Sequence, residues 1–243
     1  MIDLHFHCLP GIDDGPRSWE ESVALCRKAA AEGTTTIVAT PHVLHESWSN
    51  EDPAERDRLV VRLNAMLGGS PAIVPGCELS FTAELPELWE RGADGPLVGL
   101  NRQPFLLVEL PNYAVPGPVD AVFHELAVMN VTPIVAHPER NAELVKKPER
   151  LAAMVERGAW VQITAAAILG EMGRRTQAAI QQFFELGLVH LVASDAHSLD
   201  RRPPRLAAAR DWVTRNWGAA SAAAIFETNP ARVVLPAPAP ALR

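Results

Sequence analysis

Ile2-Asp3-Leu4-His5-Phe6-His7 alternates apolar and polar residues, the two-residue period of a strand with one buried face. Strict alternation places His5 and His7 on the same face, one pleat apart, where two imidazoles can converge on a single divalent cation. A His-x-His pair in a chain with 8 histidines is weak evidence alone. It gains weight because the chain goes on delivering His, Asp and Glu at the ends of apolar, strand-like runs.

Those runs fall at 2–7, 34–40, 72–78, 105–110, 132–137, 159–164 and 188–194. Helical patterns separate them, at 18–32, 53–67, 85–91, 119–130, 148–157 and 174–186, with two more, 205–216 and 219–227, closing the chain. Gly33 and Gly158 suit C-caps, and Pro53 and Pro148 suit first turns. Strands alternating with helices imply a parallel sheet, either open and doubly wound or closed into a barrel. No Gly-rich phosphate loop follows the first strand, which weakens the dinucleotide-binding version. Polar residues gather after almost every strand, as on the active face of a barrel. The expected fold is therefore α/β, a distorted TIM-like (β/α)7 barrel forming one domain over 1–235. The Pro/Ala-rich tail, 236–243, is expected to be disordered.

The chain has 243 residues, 48% of them hydrophobic, enough for a sizeable core without disulfides. Its formal net charge of −7 argues against nucleic acid or an anionic membrane as the main partner. No signal-type or membrane-spanning apolar run is present, and the reading is of a cytoplasmic protein with no membrane insertion. Cys8, Cys26 and Cys77 read as free thiols. A thiol phosphatase needs an Arg six residues after its Cys; those positions hold Asp14, Glu32 and Ala83, so that chemistry is absent.

The strand ends supply His5, His7 and Asp13-Asp14-Gly15 after the first, Pro41-His42 after the second, Glu78 after the third and Glu109 after the fourth. His137-Pro138-Glu139-Arg140 follows the fifth, and Asp195-Ala196-His197 the seventh. Any one of these could be an ordinary loop residue. Together, His5, His7, Asp14, His42, Glu78, Glu109, His137, Asp195 and His197 would repel one another or carry a large burial cost unless cations neutralise them. The expectation is a multinuclear metal site.

This ordered set resembles the polymerase and histidinol phosphatase superfamily. More narrowly, the Asp-Asp-Gly after His-x-His, with Ser194-Asp195-Ala196-His197 and the downstream Arg202-Pro203-Pro204, is similar to the bacterial manganese-dependent protein-tyrosine phosphatases of capsular and exopolysaccharide synthesis. The resemblance implies three divalent metal ions, Mn²⁺ by family expectation, with Fe²⁺ or Zn²⁺ also suited to a shell lacking thiolate. It assigns one ion to His5, His7, Glu78 and Asp195, a second to Glu78, Glu109 and His137, and a third to Asp14, His42 and His197. The implied activity is hydrolysis of phosphotyrosine by a metal-activated hydroxide. Arg140 and Arg202 are the catalytic candidates, their planar forks matching phosphate. The implied partner is a phosphotyrosine-containing protein, a bacterial tyrosine kinase that regulates polysaccharide synthesis; a homo-oligomer is compatible with the chain. The alternatives are a small-molecule phosphomonoesterase such as a histidinol phosphatase, and a metal-loaded phosphotyrosine-binding protein without turnover.

Weaker signals remain. Arg174, Arg175, Arg201 and Arg205 join the two catalytic arginines in loops of the last strands, either as a patch for a phosphorylated segment or as solvated charges. Trp48 either stacks on the substrate ring or packs its own loop down, and the second is preferred. His124 is expected at the surface, and His190 away from the metals. Two departures from the family pattern, Val43-Leu44 after His42 and Ala165-Ala166-Ala167 after Thr164, bear on substrate preference more than on chemistry.

Overall fold

A computed structural model describes residues 1–235; the disorder expected of 236–243 lies outside the described residues. Nine parallel strands form two sheets: β1 (Ile2–Phe6), β2 (Thr36–Ala39), β3 (His42–Val43), β4 (Ala72–Pro75), β5 (Glu78–Ser80), β6 (Phe105–Glu109), β7 (Thr132–Ala136), β8 (Trp160–Thr164) and β9 (Leu191–Ala193). One sheet runs β1-β2-β4, the other β3-β5-β6-β7-β8-β9.

The seven expected strands are recovered, two of them broken. β3 continues the line of β2 past Thr40-Pro41, and β5 continues β4 past Gly76-Cys77. Pro41 has no N–H to give a ladder, and Gly76 sits where a Cβ would lie 2.7 Å from Val38 Cγ1. Pairing resumes when the Glu78 amide donates to the Pro41 carbonyl at 3.1 Å. The far edges also meet: His7 N–H donates to Ala196 O (3.0 Å), Asp195 N–H to His5 O (2.9 Å), and Phe6 bridges Ala196. The strands thus follow one another round a ring in chain order, as in a TIM-like barrel.

Among the described residues ten α-helices lie between and after the strands: α1 (Trp19–Ala31), α2 (Pro53–Leu67), α3 (Leu85–Glu90), α4 (Val119–Val128), α5 (Ala142–Lys146), α6 (Pro148–Glu156), α7 (Ala165–Ile168), α8 (Arg174–Glu185), α9 (Leu206–Ala223) and α10 (Asn229–Val234). Local chemistry sets their ends. The Ser18 side chain accepts from the Glu21 amide, Asp52 accepts from Ala54 ahead of Pro53, and Gly33 and Gly158 carry φ of +92° and +98° past α1 and α6. The short helices α5 and α7 are additions to the expected pattern, too brief for a readable period. The last two predicted helices are redrawn: α9 runs to Ala223 through a break at Gly218 (φ +85°), a π turn follows at Ala224–Thr228, and α10 ends the described chain.

The core divides by layer. Val161, Ile163, Phe183, Val213 and Phe226 belong to the largest cluster, between strands and outer helices. Phe6 and Ile37 pack with Leu25 of α1 and Leu63 of α2. Leu4, Val38, Leu107, Ile134 and Leu191, from five strands, meet inside the ring, with Val233 and Val234 of α10 against them. The first strand therefore departs from strict alternation. Its pairing with β2 shifts register between Asp3 and Phe6, which sends Leu4 inward and Phe6 outward although they are two positions apart.

Candidate metal centre

The interior apolar layer is the floor of a polar cup at the strand ends. His5 and His7 share the inner face as expected, their Nε2 atoms 3.1 Å apart. Glu78 Oε2 lies 3.2 Å from His5 Nε2 and 3.3 Å from His7 Nε2; Asp195 Oδ1 lies 3.3 and 3.6 Å from the same atoms. Residues separated by nearly the whole chain thus aim four donor atoms at one small volume, and all four side chains are buried.

The others extend the cup. His137 Nε2 is 2.7 Å from Glu78 Oε1 and 3.8 Å from Glu109 Oε1. His42 Nδ1 is 3.1 Å from Glu78 Oε2 and 3.9 Å from Glu109 Oε2, and its Nε2 is 3.5 Å from Asp14 Oδ1. His197 Nε2 closes on the same Asp14 oxygen at 3.0 Å. Donor atoms cluster in four overlapping groups: His7, Asp14, His42 and His197; His5, His137 and Asp195; His5, His7 and Glu78; His42, Glu78 and Glu109. All nine candidate ligands are brought together. The grouping differs in detail from the expected partition, since His7 also faces the outer set and His42 also faces Glu109.

Two of these residues sit in unusual backbone. His137 (φ +29°) and Asp195 (φ +53°) stand just beyond the ends of β7 and β9, in a region that costs free energy for residues with a Cβ. The turn after β1 is equally constrained: a Cβ on Gly15 would lie 2.9 Å from both His7 O and Asp13 Oδ1.

Partners of the ring nitrogens show that the cup fits cations. His7 Nδ1 donates to Asp13 Oδ2 at 2.8 Å. His5 Nδ1 donates to Gln162 Oε1 at 2.9 Å, the Gln162 amide nitrogen being engaged with Ile163 O. His197 Nδ1 donates to Asp195 O at 2.9 Å. Each bond fixes the tautomer and turns the Nε2 lone pair inward, the usual support of a metal-bound imidazole. Two inward lone pairs 3.1 Å apart need a positive species between them. Asp195 Oδ1, His42 Nδ1 and His197 Nε2 are also buried without a hydrogen-bond partner, and the donors are all imidazole nitrogen or carboxylate oxygen, with no thiolate.

Electrostatics in the metal-free chain say the same. Burial opposes charge on His7, but Asp13 and Glu78 raise its pKa to about 10. Burial works against ionisation of Glu78 and Asp195 too, yet His5 on both, with Arg140 and Arg202 on Asp195, holds them well below the carboxylate range. His197 is lowered to about 4 by burial and the neighbouring His7. A strong negative potential is being met by protons.

Arg140 and Arg202 both pair with Asp195 Oδ2, and Arg202 also reaches Asp14 Oδ2 at 3.5 Å. Both are partly exposed, so two guanidiniums stand at the lip of the cup. A cavity of about 620 Å³ opens beside Asp14 and His197, lined also by Arg17 and Arg201; another of about 350 Å³ opens at Glu109, lined by Leu44 and Phe81. His190 lies before β9, half-buried against Trp160, and His124 is exposed on α4, both as read. Sequence reasoning missed Asp13 and Gln162 as orienting groups. Gln162, a lone amide within the apolar run 159–163 and fully buried, was the visible signal.

A parallel ring with His and carboxylate donors at the strand ends is the architecture of the metal-dependent hydrolases. Solved structures of a lactonase from Listeria monocytogenes (14% identity, TM-score 0.56, covering 96% of this chain and 94% of that one) and a phosphotriesterase homology protein from Escherichia coli (10%, 0.59, 95% and 97%) share the fold. Residues 1–235 match the family model of capsular polysaccharide synthesis, CpsB/CapC, and the chain belongs to that family. It is 35% identical to the tyrosine-protein phosphatase YwqE of Bacillus subtilis over 83% of this chain and 79% of the relative, and 29% identical to the tyrosine-protein phosphatase CpsB of Streptococcus pneumoniae over 97% and 98%. A crystal structure from work on YwqE and CpsB, described as unique metal-dependent tyrosine phosphatases, superposes with TM-score 0.90 at 32% identity, covering 96% of this chain and 94% of that one.

Proposed function

We infer that this chain is a metal-dependent protein-tyrosine phosphatase of the non-cysteine type. One observation carries the reading: nine imidazole and carboxylate side chains converge in a single cup, three of the imidazoles oriented from behind, with Arg140 and Arg202 at its rim. The ligands are His5, His7, Asp14, His42, Glu78, Glu109, His137, Asp195 and His197, and the complement is three divalent ions, Mn²⁺ first among those the donor set suits. Held by those residues, such ions would supply Lewis acidity and lower the pKa of water towards neutrality.

The chain's own residues do the rest. Asp13, Gln162 and the Asp195 carbonyl hold three imidazoles in the tautomer that presents Nε2. Arg140 and Arg202, free to exchange the Asp195 carboxylate for a phosphoryl group, supply fork-shaped donors where charge grows in the transition state. No side chain need act as a nucleophile. The phenol leaving group has a pKa of about 10, so the demand for a general acid is small.

Cavities on both sides of the cup leave room for peptide either side of a phosphotyrosine. The partner is then a phosphotyrosine protein, in a capsule-synthesis setting a bacterial tyrosine kinase, and the compartment the cytoplasm. No described helix is long and apolar enough to cross a membrane.

The test is hydrolysis of para-nitrophenyl phosphate with and without Mn²⁺, then phosphotyrosine peptide, phosphoserine peptide and histidinol phosphate in parallel. Mn²⁺-dependent turnover that favours the phosphotyrosine peptide is expected. Preference for histidinol phosphate would reassign the substrate, and full metal occupancy without turnover would leave a binding protein.

A further inference from the structure

Of the imidazoles in the outer group, His7 is held from behind by Asp13 and His197 by the Asp195 carbonyl. His42 has no such hydrogen bond among the described residues: its Nδ1 lies 3.1 Å from Glu78 and its Nε2 3.5 Å from Asp14. What fixes its plane is Trp48, whose ring lies parallel to the imidazole, centroids 4.9 Å apart and planes 7° from coincidence. His45 closes the triangle, its ring 4.4 Å from Trp48 and 5.0 Å from His42. Two residues further on, the Asn50 side-chain amide donates to the His42 carbonyl (3.0 Å) and to the Ile12 carbonyl (2.8 Å). Ile12 leads directly into Asp13-Asp14, so one carboxamide ties together the two segments that present Asp14 and His42. The Asn50 carbonyl is in turn held by the buried guanidinium of Arg56, which also donates to Pro96 O at 2.7 Å.

We propose that the loop from Leu44 to Asp52 is a clamp on the outer part of the metal centre, in which Trp48 and Asn50 are positioning residues for His42 and Asp14. The proposal rests on the reading of the cup as a metal site. Asp14 is the most exposed of the outer donors, with 42% of its side chain accessible. Its position therefore depends on the fixed backbone beneath it, and the His42 ring depends on its stacking partner. Asp14 belongs to one donor group and His42 to two, whereas the group of His5, His137 and Asp195 includes neither, so the clamp acts on part of the set.

The experiment is Mn²⁺ titration of the metal-free chain, following free Mn²⁺ by electron paramagnetic resonance, for wild type, Trp48→Ala, Trp48→Phe and Asn50→Ala. Thermal unfolding of each metal-free chain is recorded alongside. Wild type is expected to fill all its sites. Trp48→Ala and Asn50→Ala should weaken binding at the donor groups that contain His42 and Asp14 by about 10–100-fold, an ion held by His5, His137 and Asp195 being unchanged, and Trp48→Phe, which keeps a stacking face, should recover most of that loss. Unchanged titrations in both alanine variants would overturn the proposal. So would uniform weakening of every ion together with a lower unfolding temperature, which marks a general structural role. Failure of wild type to bind Mn²⁺ would instead sink the reading beneath it.

Discussion

The residues that decide chemistry here include several that never face the substrate. Asp13 Oδ2 accepts a hydrogen bond from His7 Nδ1 at 2.8 Å; Asp13→Ala frees the ring to rotate and lets the other tautomer form. The expected result is about 10–100-fold weaker Mn²⁺ binding, read by titration, together with lower metal-free stability, read by urea unfolding, because a buried partner of His7 is removed; unaltered affinity would show that the hydrogen bond orients nothing. Arg140 and Arg202 make a different prediction, because they are donors and not supports. Arg140→Lys keeps the charge but loses the fork, and should lower kcat/KM for a phosphotyrosine peptide by about 10²–10³-fold while Mn²⁺ stoichiometry stays constant. Loss of bound metal in that variant would place Arg140 with the ligand shell instead. The nine side chains that meet in the cup were legible in sequence because strand ends repeat the same residue types. Asp13 was quoted with its neighbour but not separated from it, since adjacent carboxylates look alike until a backbone turn aims one at a ring edge and the other at the cavity. Trp48 was read as packing its loop down; its flat contact with His42 depends on a loop path that no periodicity encodes.

Elements hold these residues by caps and close contacts more than by propensity. Asn141 shows how: its Oδ1 accepts from the Glu143 and Leu144 amides and its Nδ2 donates to the Pro111 carbonyl, in a buried position one residue after Arg140. Asn141→Ala removes an N-cap and leaves a carbonyl without its donor, so it should cost about 2 kcal/mol, measured as a drop in the urea midpoint at constant slope; a loss near zero would mean water replaces the amide. Because Asn141 also ends the turn carrying His137 and Arg140, activity should fall beyond what the unfolded fraction explains. Long elements were readable from their period and punctuation, and α2 runs from Pro53 to Leu67 as expected because Asp52 and Gly68 mark its ends. What could not be read were the breaks. β2 and β4 each stop and restart within three residues, since Pro41 interrupts the ladder from one side and the Gly76 backbone crowds Val38 from the other. α5 and α7, of 5 and 4 residues, are too short for a 3.6-residue period to register and exist because Asn141 and Thr164 cap them.

At the scale of the molecule, the ring is a device for concentrating negative charge, and its stability must follow what neutralises that charge. Without metal, the task falls to protons. Burial alone would lower the His7 pKa, but Asp13 and Glu78 raise it from 6.5 to about 10. A folded-state pKa above the unfolded value stabilises fully below 6.5, and that contribution is lost as pH rises towards 10. His197 runs the other way: burial and the nearby His7 lower it to about 4, so its share is present above 6.5 and lost on acidification through that value. The depressed carboxylates Glu78 and Asp195 likewise give stability that is present above the ordinary carboxylate range and lost below it. The His7 contribution therefore makes the metal-free chain less stable with rising pH on the alkaline side of neutrality. Metal reverses the slope there, because its ligands must be deprotonated to bind and affinity grows as protons leave. The unfolding temperatures of Mn²⁺-loaded and EDTA-treated protein should accordingly diverge from about pH 6 to about pH 8, and Mn²⁺ binding near pH 7 should release protons, seen as a dependence of the calorimetric enthalpy on buffer ionisation heat. A gap that is constant or narrows over that interval would mean that the cup is not loaded in competition with protons. The convergence of side chains would then serve the fold alone.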